Sequence, residues 1–144
     1  MSKLVRDAMT ANPRSVRAGT PVVEAAKIMA EEDVGSVPIV DRDDILLGMI
    51  TDRDITLRVV AAEKDPRTTR ASEIASTHVT PAYLDEPLDE ALESMAYRQV
   101  RRLPVIDDDR LVGILAQADI VQEVRDKKAG QLVGAISQPA PTGD

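Results

Sequence analysis

The sequence predicts a mixed α/β fold built from two tandem β-α-β-β-α units related by a pseudo-twofold axis. Three observations carry this: the 144-residue chain repeats itself at a nearly constant offset, each repeat alternates helical and strand periodicity, and a unit of about 60 residues is marginal alone. Shifting by 66 positions lays PVVEAAKIMA (Pro21 to Ala30) over PLDEALESMA (Pro87 to Ala96), and VGSVPIVD (Val34 to Asp41) over VRRLPVID (Val100 to Asp107). Pro21/Pro87, Glu24/Glu90, Ala25/Ala91, Met29/Met95, Val34/Val100, Pro38/Pro104 and Asp41/Asp107 are identities. Further on the offset falls to 65, aligning LLGMITDRDI (Leu46 to Ile55) with LVGILAQADI (Leu111 to Ile120), so one residue is gained between Asp41 and Leu46.

Each element has a local reason. Val22, Ala25, Ala26 and Met29 follow the i, i+3, i+4, i+7 spacing of a helix with one buried stripe, and Leu88, Ala91, Leu92 and Met95 repeat it. Pro21 and Pro87 suit the first turn, where a missing N–H costs nothing. Two short apolar runs follow, Val37 to Val40 and Ile45 to Ile50, joined by Asp41-Arg42-Asp43-Asp44; this is a hairpin, whose turn tolerates the extra residue. A second helix starts at about Asp52, with Thr51 or Asp52 placed to cap it. The units span residues 1–66 and 67–127. In the extension, 128–144, an apolar patch from Leu132 to Ile136 suits an extra helix or a dimer contact, and the end is expected to be disordered.

Composition bounds the function. There is no Cys, which removes disulfides, thiolate nucleophiles and Cys-based zinc sites, and the single His78 leaves little for a His-rich metal site. The 18 basic and 25 acidic side chains give a net charge of −7, and aromatic residues are limited to Tyr83 and Tyr97, so neither a phosphate-matching surface nor a base-stacking platform for nucleic acid is available. No run is long enough for a membrane span and Met1 to Thr10 is too polar for a signal peptide, so a soluble, cytoplasmic protein is expected. The Asp43-Asp44 and Asp107 to Asp109 clusters lack the spaced ligands and glycine of a cation loop and read as solvated turns; no metal site is expected. No nucleophile elbow, phosphate-binding loop or dinucleotide fingerprint is present, and no enzymatic activity is expected.

The motifs VRDAMT (Val5 to Thr10), SVPIVD (Ser36 to Asp41), RLPVID (Arg102 to Asp107) and GMITDRDI (Gly48 to Ile55) in this order resemble a CBS domain pair, or Bateman module, over about Leu4 to Val124. The TDRD element in a stand-alone pair is similar to the small actinobacterial CBS proteins of the hypoxic response group. The resemblance implies a cleft for up to two ligands, usually adenine nucleotides, in a homodimer that serves an unidentified regulated protein.

Thr51-Asp52-Arg53-Asp54, at a strand end that opens a helix, is the main candidate site. Thr51 can donate to a phosphate oxygen, Arg53 offers a fixed fork of donors, and Asp54 suits ribose hydroxyls rather than phosphate; capping alone is the simpler alternative. The second unit has Ala116-Gln117-Ala118-Asp119 there, keeping only the carboxylate of Asp119, so the two sites cannot be equivalent. Arg101 and Arg102, with Gly35 and Ser36 as counterparts, enter the second strand of their unit, just before Leu103-Pro104; alternation along a strand predicts that at most one of the arginines faces the cleft. In the family, basic residues here reach phosphate and the stretches before each first helix hold adenine. This carries over Thr77, His78 and Val79 to the Thr51/Asp54 pocket, and Thr10 and Asn12 to the other. The expected ligand is AMP, ADP, ATP or S-adenosylmethionine, with no cofactor required. The alternative is a homodimeric interaction scaffold without a ligand; a weak hydrolase would have to rely on Asp54 and Asp119, which lack an evident activator.

Overall fold

A computed structural model describes residues 3–121. In chain order come helix α1 (Val5–Ala8), strands β1 (Thr10–Ala11) and β2 (Val16–Arg17), helix α2 (Val22–Glu32), strands β3 (Ser36–Val40) and β4 (Leu46–Thr51), and helix α3 (Asp52–Ile55). Helix α3 runs into a π-helical turn, Thr56–Val60. The second half holds α4 (Ala71–Ile74), β5 (Ala82–Tyr83), α5 (Leu88–Arg98), β6 (Arg102–Asp107) and β7 (Arg110–Ala116), and residues 117–121 are helical. The mixed α/β class matches the sequence reading. The expected extension, 128–144, lies outside the described residues.

Two sheets result, ordered β2-β3-β4 and β1-β7-β6-β5. In each unit a short strand pairs in parallel with the first hairpin strand, and the hairpin is antiparallel. The hydrogen bonds repeat with the sequence. Val5 and Arg6 N–H donate to Glu86 and Leu84 carbonyls, and 66 residues later Ala71 and Ser72 donate to Thr20 and Ala18. Leu46 N–H donates to Asp109 O while Leu111 N–H donates to Asp44 O, around an Ile45–Arg110 bridge through which the pseudo-twofold axis passes. Backbone groups that secondary structure leaves open are thereby paired across the two units.

Each lead-in segment crosses to the other unit. Val5 packs with Ala82, Leu88, Met95 and Leu115, flanked by Ala8 and Met9, whereas Ala71 and Ile74 pack with Val22, Ile39 and Ile50. The helical stripe of α2 is Val22, Ala25, Ile28 and Met29; Ala26 is only half-buried, because Ile28 takes more of the face turned to the sheet. In α5 it is Leu88, Ala91 and Met95. Both helices end on a left-handed residue, Asp33 (φ 54°) and Gln99 (φ 56°), which turns the chain into the next strand. In the first hairpin turn Asp43 and Ile45 N–H donate to Asp41 Oδ1 at 2.8 and 3.0 Å, giving the acidic cluster a turn-forming role. Among the described residues no helix is long and apolar enough to cross a membrane.

Candidate functional site

The hairpin strand β4 ends where α3 begins, and the chain there closes a local ring. Asp54 N–H donates to Thr51 Oγ1 at 3.1 Å and Thr51 N–H donates to Asp54 Oδ2 at 3.0 Å. Thr51 and Asp54 thus form a capping box. The cap leaves the Thr51 hydroxyl proton and Asp54 Oδ1 uncommitted. Asp52 N–H donates to Gly35 O at 2.9 Å, fixing this corner against the start of β3, and its counterpart Gln117 N–H donates to Arg101 O at 2.7 Å.

A cavity of 710 Å³ opens beside this corner. From the first unit Gly35, Ser36, Met49, Thr51 and Asp52 line it. Ser76, His78, Val79 and Thr80 of the lead-in segment form another wall. Arg98, Val100, Arg101 and Arg102, with Leu103 and Pro104, close it from the second unit. The volume lies in the range of small-molecule sites.

Of the candidate residues, Thr51, Ser36, His78, Val79, Arg101 and Arg102 come together here. The expectation that only one of Arg101 and Arg102 faces the cleft is corrected: both line it. Strand alternation does not apply, because Arg101 lies in a bend before β6, which starts at Arg102. Arg53 is exposed and lies off the cavity wall; its N–H donates to Asp52 Oδ1 at 2.8 Å and its carbonyl accepts the Thr56 N–H. Asp54 is half-buried behind Thr51 and also lies off the wall. Thr77 lines a separate 230 Å³ cavity with Gly48 and Tyr83.

The second set stays apart from this cavity. Thr10 pairs with Ile114 in β1, and Asn12 adopts φ 53° with its N–H donating to Val112 O at 3.2 Å. Asp119 is helical and half-buried. Asp52 and Arg98 are wall residues that the sequence reading did not select. Asp52 was legible only as a cap, and Arg98 as a cation in the last turn of a helix, where it suits the helix dipole. Among the described residues no group of three or more His, Cys, Asp or Glu is placed to hold a metal ion.

The fold and site define a class: a duplicated α/β unit with a polar, cation-bearing cleft where its halves meet. The family model for the CBS domain matches twice, over residues 5–61 and 71–126, and the chain belongs to the CBS domain family. It is 40% identical over 134 residues to hypoxic response protein 1 of Mycobacterium tuberculosis, spanning 93% of this chain and 94% of that protein. Among solved structures it is similar to Hypoxic Response Protein I with two coordinated zinc ions, at TM-score 0.78 and 41% identity over 83% of this chain and 98% of that one. The CBS domain pair of protein MJ0100, in complex with 5′-methylthioadenosine and S-adenosyl-L-methionine, matches at TM-score 0.76 and 31% identity, covering 88% of this chain and 99% of that one.

Proposed function

We propose that this chain is a regulatory CBS pair that binds an adenine nucleotide or adenosyl compound in the cleft and does not turn it over. The observation that carries the reading is the 710 Å³ cavity in which Thr51 of one unit and Arg101 and Arg102 of the other share a wall. A ligand held there touches both units, so its binding favours the arrangement in which they meet, which is what a sensor requires. The adenosyl compounds in the MJ0100 pair support the ligand class. A homodimer belongs to the reading: Leu57 and Val60 of the π-helical turn are 50% and 68% exposed and supply apolar surface for a second copy. We also infer a cytoplasmic location.

The second reading, a scaffold without a ligand, is favoured by one observation: Thr51 and Asp54 bond to each other, a purely structural use of both. Thermal unfolding with AMP, ADP, ATP and S-adenosylmethionine separates the two. A ligand at 100 times its Kd adds about 2.7 kcal/mol, a rise of roughly 5–10 °C for a chain of this size. A rise selective for one compound supports the sensor; no rise with any of them in a folded dimer supports the scaffold.

A further inference from the structure

The cleft wall formed by Ser76, His78, Val79 and Thr80 is held to the protein at few points. Ser76 N–H donates to Met49 O at 2.9 Å and Met49 N–H to Ser76 O at 3.0 Å, one rung against β4. Past that rung, among the described residues, no hydrogen bond reaches Thr77, His78, Val79 or Thr80, and the chain is next paired at Ala82 in β5. The wall is therefore placed from its start, by whatever fixes the chain between α4 and Ser76.

One side chain does this from another element. Arg58, in the π-helical turn, donates from Nη1 to Ile74 O at 3.2 Å. Ile74 is the last residue of α4, where carbonyls have no partner within the helix, and its side chain is buried in the first core. Val59, next to Arg58, is fully buried in the same core, so the turn that carries the guanidinium is itself fixed. Only two residues separate the bonded carbonyl from the Ser76 rung, and the two ties together set the direction in which the chain enters the cleft.

The repeat shows that this tie is peculiar to one wall. In the counterpart segment Thr10 and Ala11 make two rungs with Ile114 and Gly113, and Asn12 N–H donates to Val112 O at 3.2 Å. The equivalent donor, His78 N–H, has no acceptor among the described residues. At offset 65 the counterpart of Arg58 is Glu123, whose ionised carboxylate has no proton to give a carbonyl. One wall is placed by sheet pairing, the other by a single rung and a guanidinium.

We infer that Arg58 is a positioning residue for the Thr51 cleft, which through Ile74 O pre-sets the wall against which a ligand is held. This rests on the proposed binding of an adenosyl compound. Arg58 does not line the cavity, so it acts through the wall and not on the ligand. A wall already in place costs a ligand less ordering than one that must be fixed on binding, so losing the tie weakens binding without removing a contact to the ligand.

The test is calorimetric titration of the full chain with AMP, ATP and S-adenosylmethionine, well below the unfolding midpoint, for wild type, R58M, R58K and K64M. R58M is expected to weaken whichever compound binds by about tenfold, and R58K, with one ammonium in place of the fork, by about threefold. K64M removes the same charge from an exposed residue off the cavity wall and is expected to bind as wild type does. Amide exchange in R58M is expected to quicken at Ala75 and Ser76, the bonded amides of the segment, and to stay unchanged in β6. A lower unfolding midpoint with wild-type affinity would make Arg58 structural only and refute the inference while ligand binding stands; an equal loss in K64M would do the same by assigning the effect to charge alone. Should R58M not unfold cooperatively, R58K decides, and wild-type affinity in that variant overturns the inference. If none of the three compounds binds a wild-type chain that unfolds cooperatively, the adenosyl reading falls and this inference with it.

Discussion

Thr51 and Asp54 hold each other, each side chain accepting the other's backbone N–H at 3.1 and 3.0 Å, where β4 turns into α3. The second unit has Ala116 and Asp119 at these places, so half of the ring is missing there. Thr51→Ala is therefore expected to cost about 1 kcal/mol in urea unfolding with an unchanged slope, and Thr51→Ser to cost less than half of that. Equal losses for the two would show that the methyl group, not the hydroxyl, carries the contribution.

Gly48 and Gly113 occupy equivalent places in β4 and β7, yet they differ in what surrounds them. A Cβ on Gly48 would stand 2.5 Å from Ser76 O, on the rung where Met49 and Ser76 exchange hydrogen bonds of 3.0 and 2.9 Å. A Cβ on Gly113 would meet Met9 Sδ at 2.5 Å, the movable end of a side chain, although Thr10 O is also near at 3.0 Å. Gly48→Ala is expected to cost about 1–3 kcal/mol and more than Gly113→Ala, as measured by chemical denaturation. The reverse order would contradict backbone contact as the cause.

These local features show what the sequence could and could not display. The helices over Val22–Glu32 and Leu88–Arg98 and both hairpins were legible because periodicity and turn chemistry act within a few residues. The crossing of Val5–Ala8 into the second core was not, because bonds such as Val5 N–H to Glu86 O join residues far apart in the chain. At the site, Thr51 and the arginine pair were legible from residue type and repeat position. Arg98 was hidden by a helix end where a cation is ordinary, and the pairing of Arg101 with Arg102 by a strand that begins one residue late.

That crossing has its own consequence. Val5 is fully buried among residues of the second unit, although it begins the chain's first repeat. Val5→Ala is expected to cost about 2 kcal/mol, from the lost methyl groups and the space they leave. Amide exchange locates the effect: protection is expected to fall in β6 and β7 ahead of β3 and β4. Faster exchange confined to β3 and β4 would contradict the assignment of α1 to the second core.

Asp65 opens the connection between the units and accepts Arg67 N–H on Oδ1 at 2.9 Å. That bond, chiefly, holds its carboxyl below the ordinary value of 3.8, with the Arg67 charge adding to it. A carboxylate with a lowered pKa in the folded state contributes stability that is fully present above the ordinary value and is lost as pH falls through the lower one. Asp65→Asn is thus expected to lower stability by the same amount from about pH 5 to pH 8, with the difference closing below about pH 4. A difference that widens in acid would reverse the sign and rule out this origin.

The unequal clefts set the stoichiometry. Thr51 and Arg98 have as counterparts Ala116 and Glu32, a methyl group in place of a hydroxyl and a carboxylate in place of a cation, while Gly35 and Ser36 exchange places with Arg101 and Arg102 across the axis. Since charge-assisted bonds to phosphate are worth about twice a neutral bond, putting a carboxylate where the first cleft has a cation is expected to weaken the second by at least about tenfold. Titration with ATP is therefore expected to saturate at one nucleotide per chain, and T51A/R102M to abolish that transition without revealing a second. Ala116→Thr alone is expected to leave the count at one, because a hydroxyl does not offset the Glu32 carboxylate that stands in the place of Arg98. Two equivalent nucleotides per chain would mean that groups shared by both repeats dominate binding, and that the exchange of Arg98 for Glu32 changes nothing measurable.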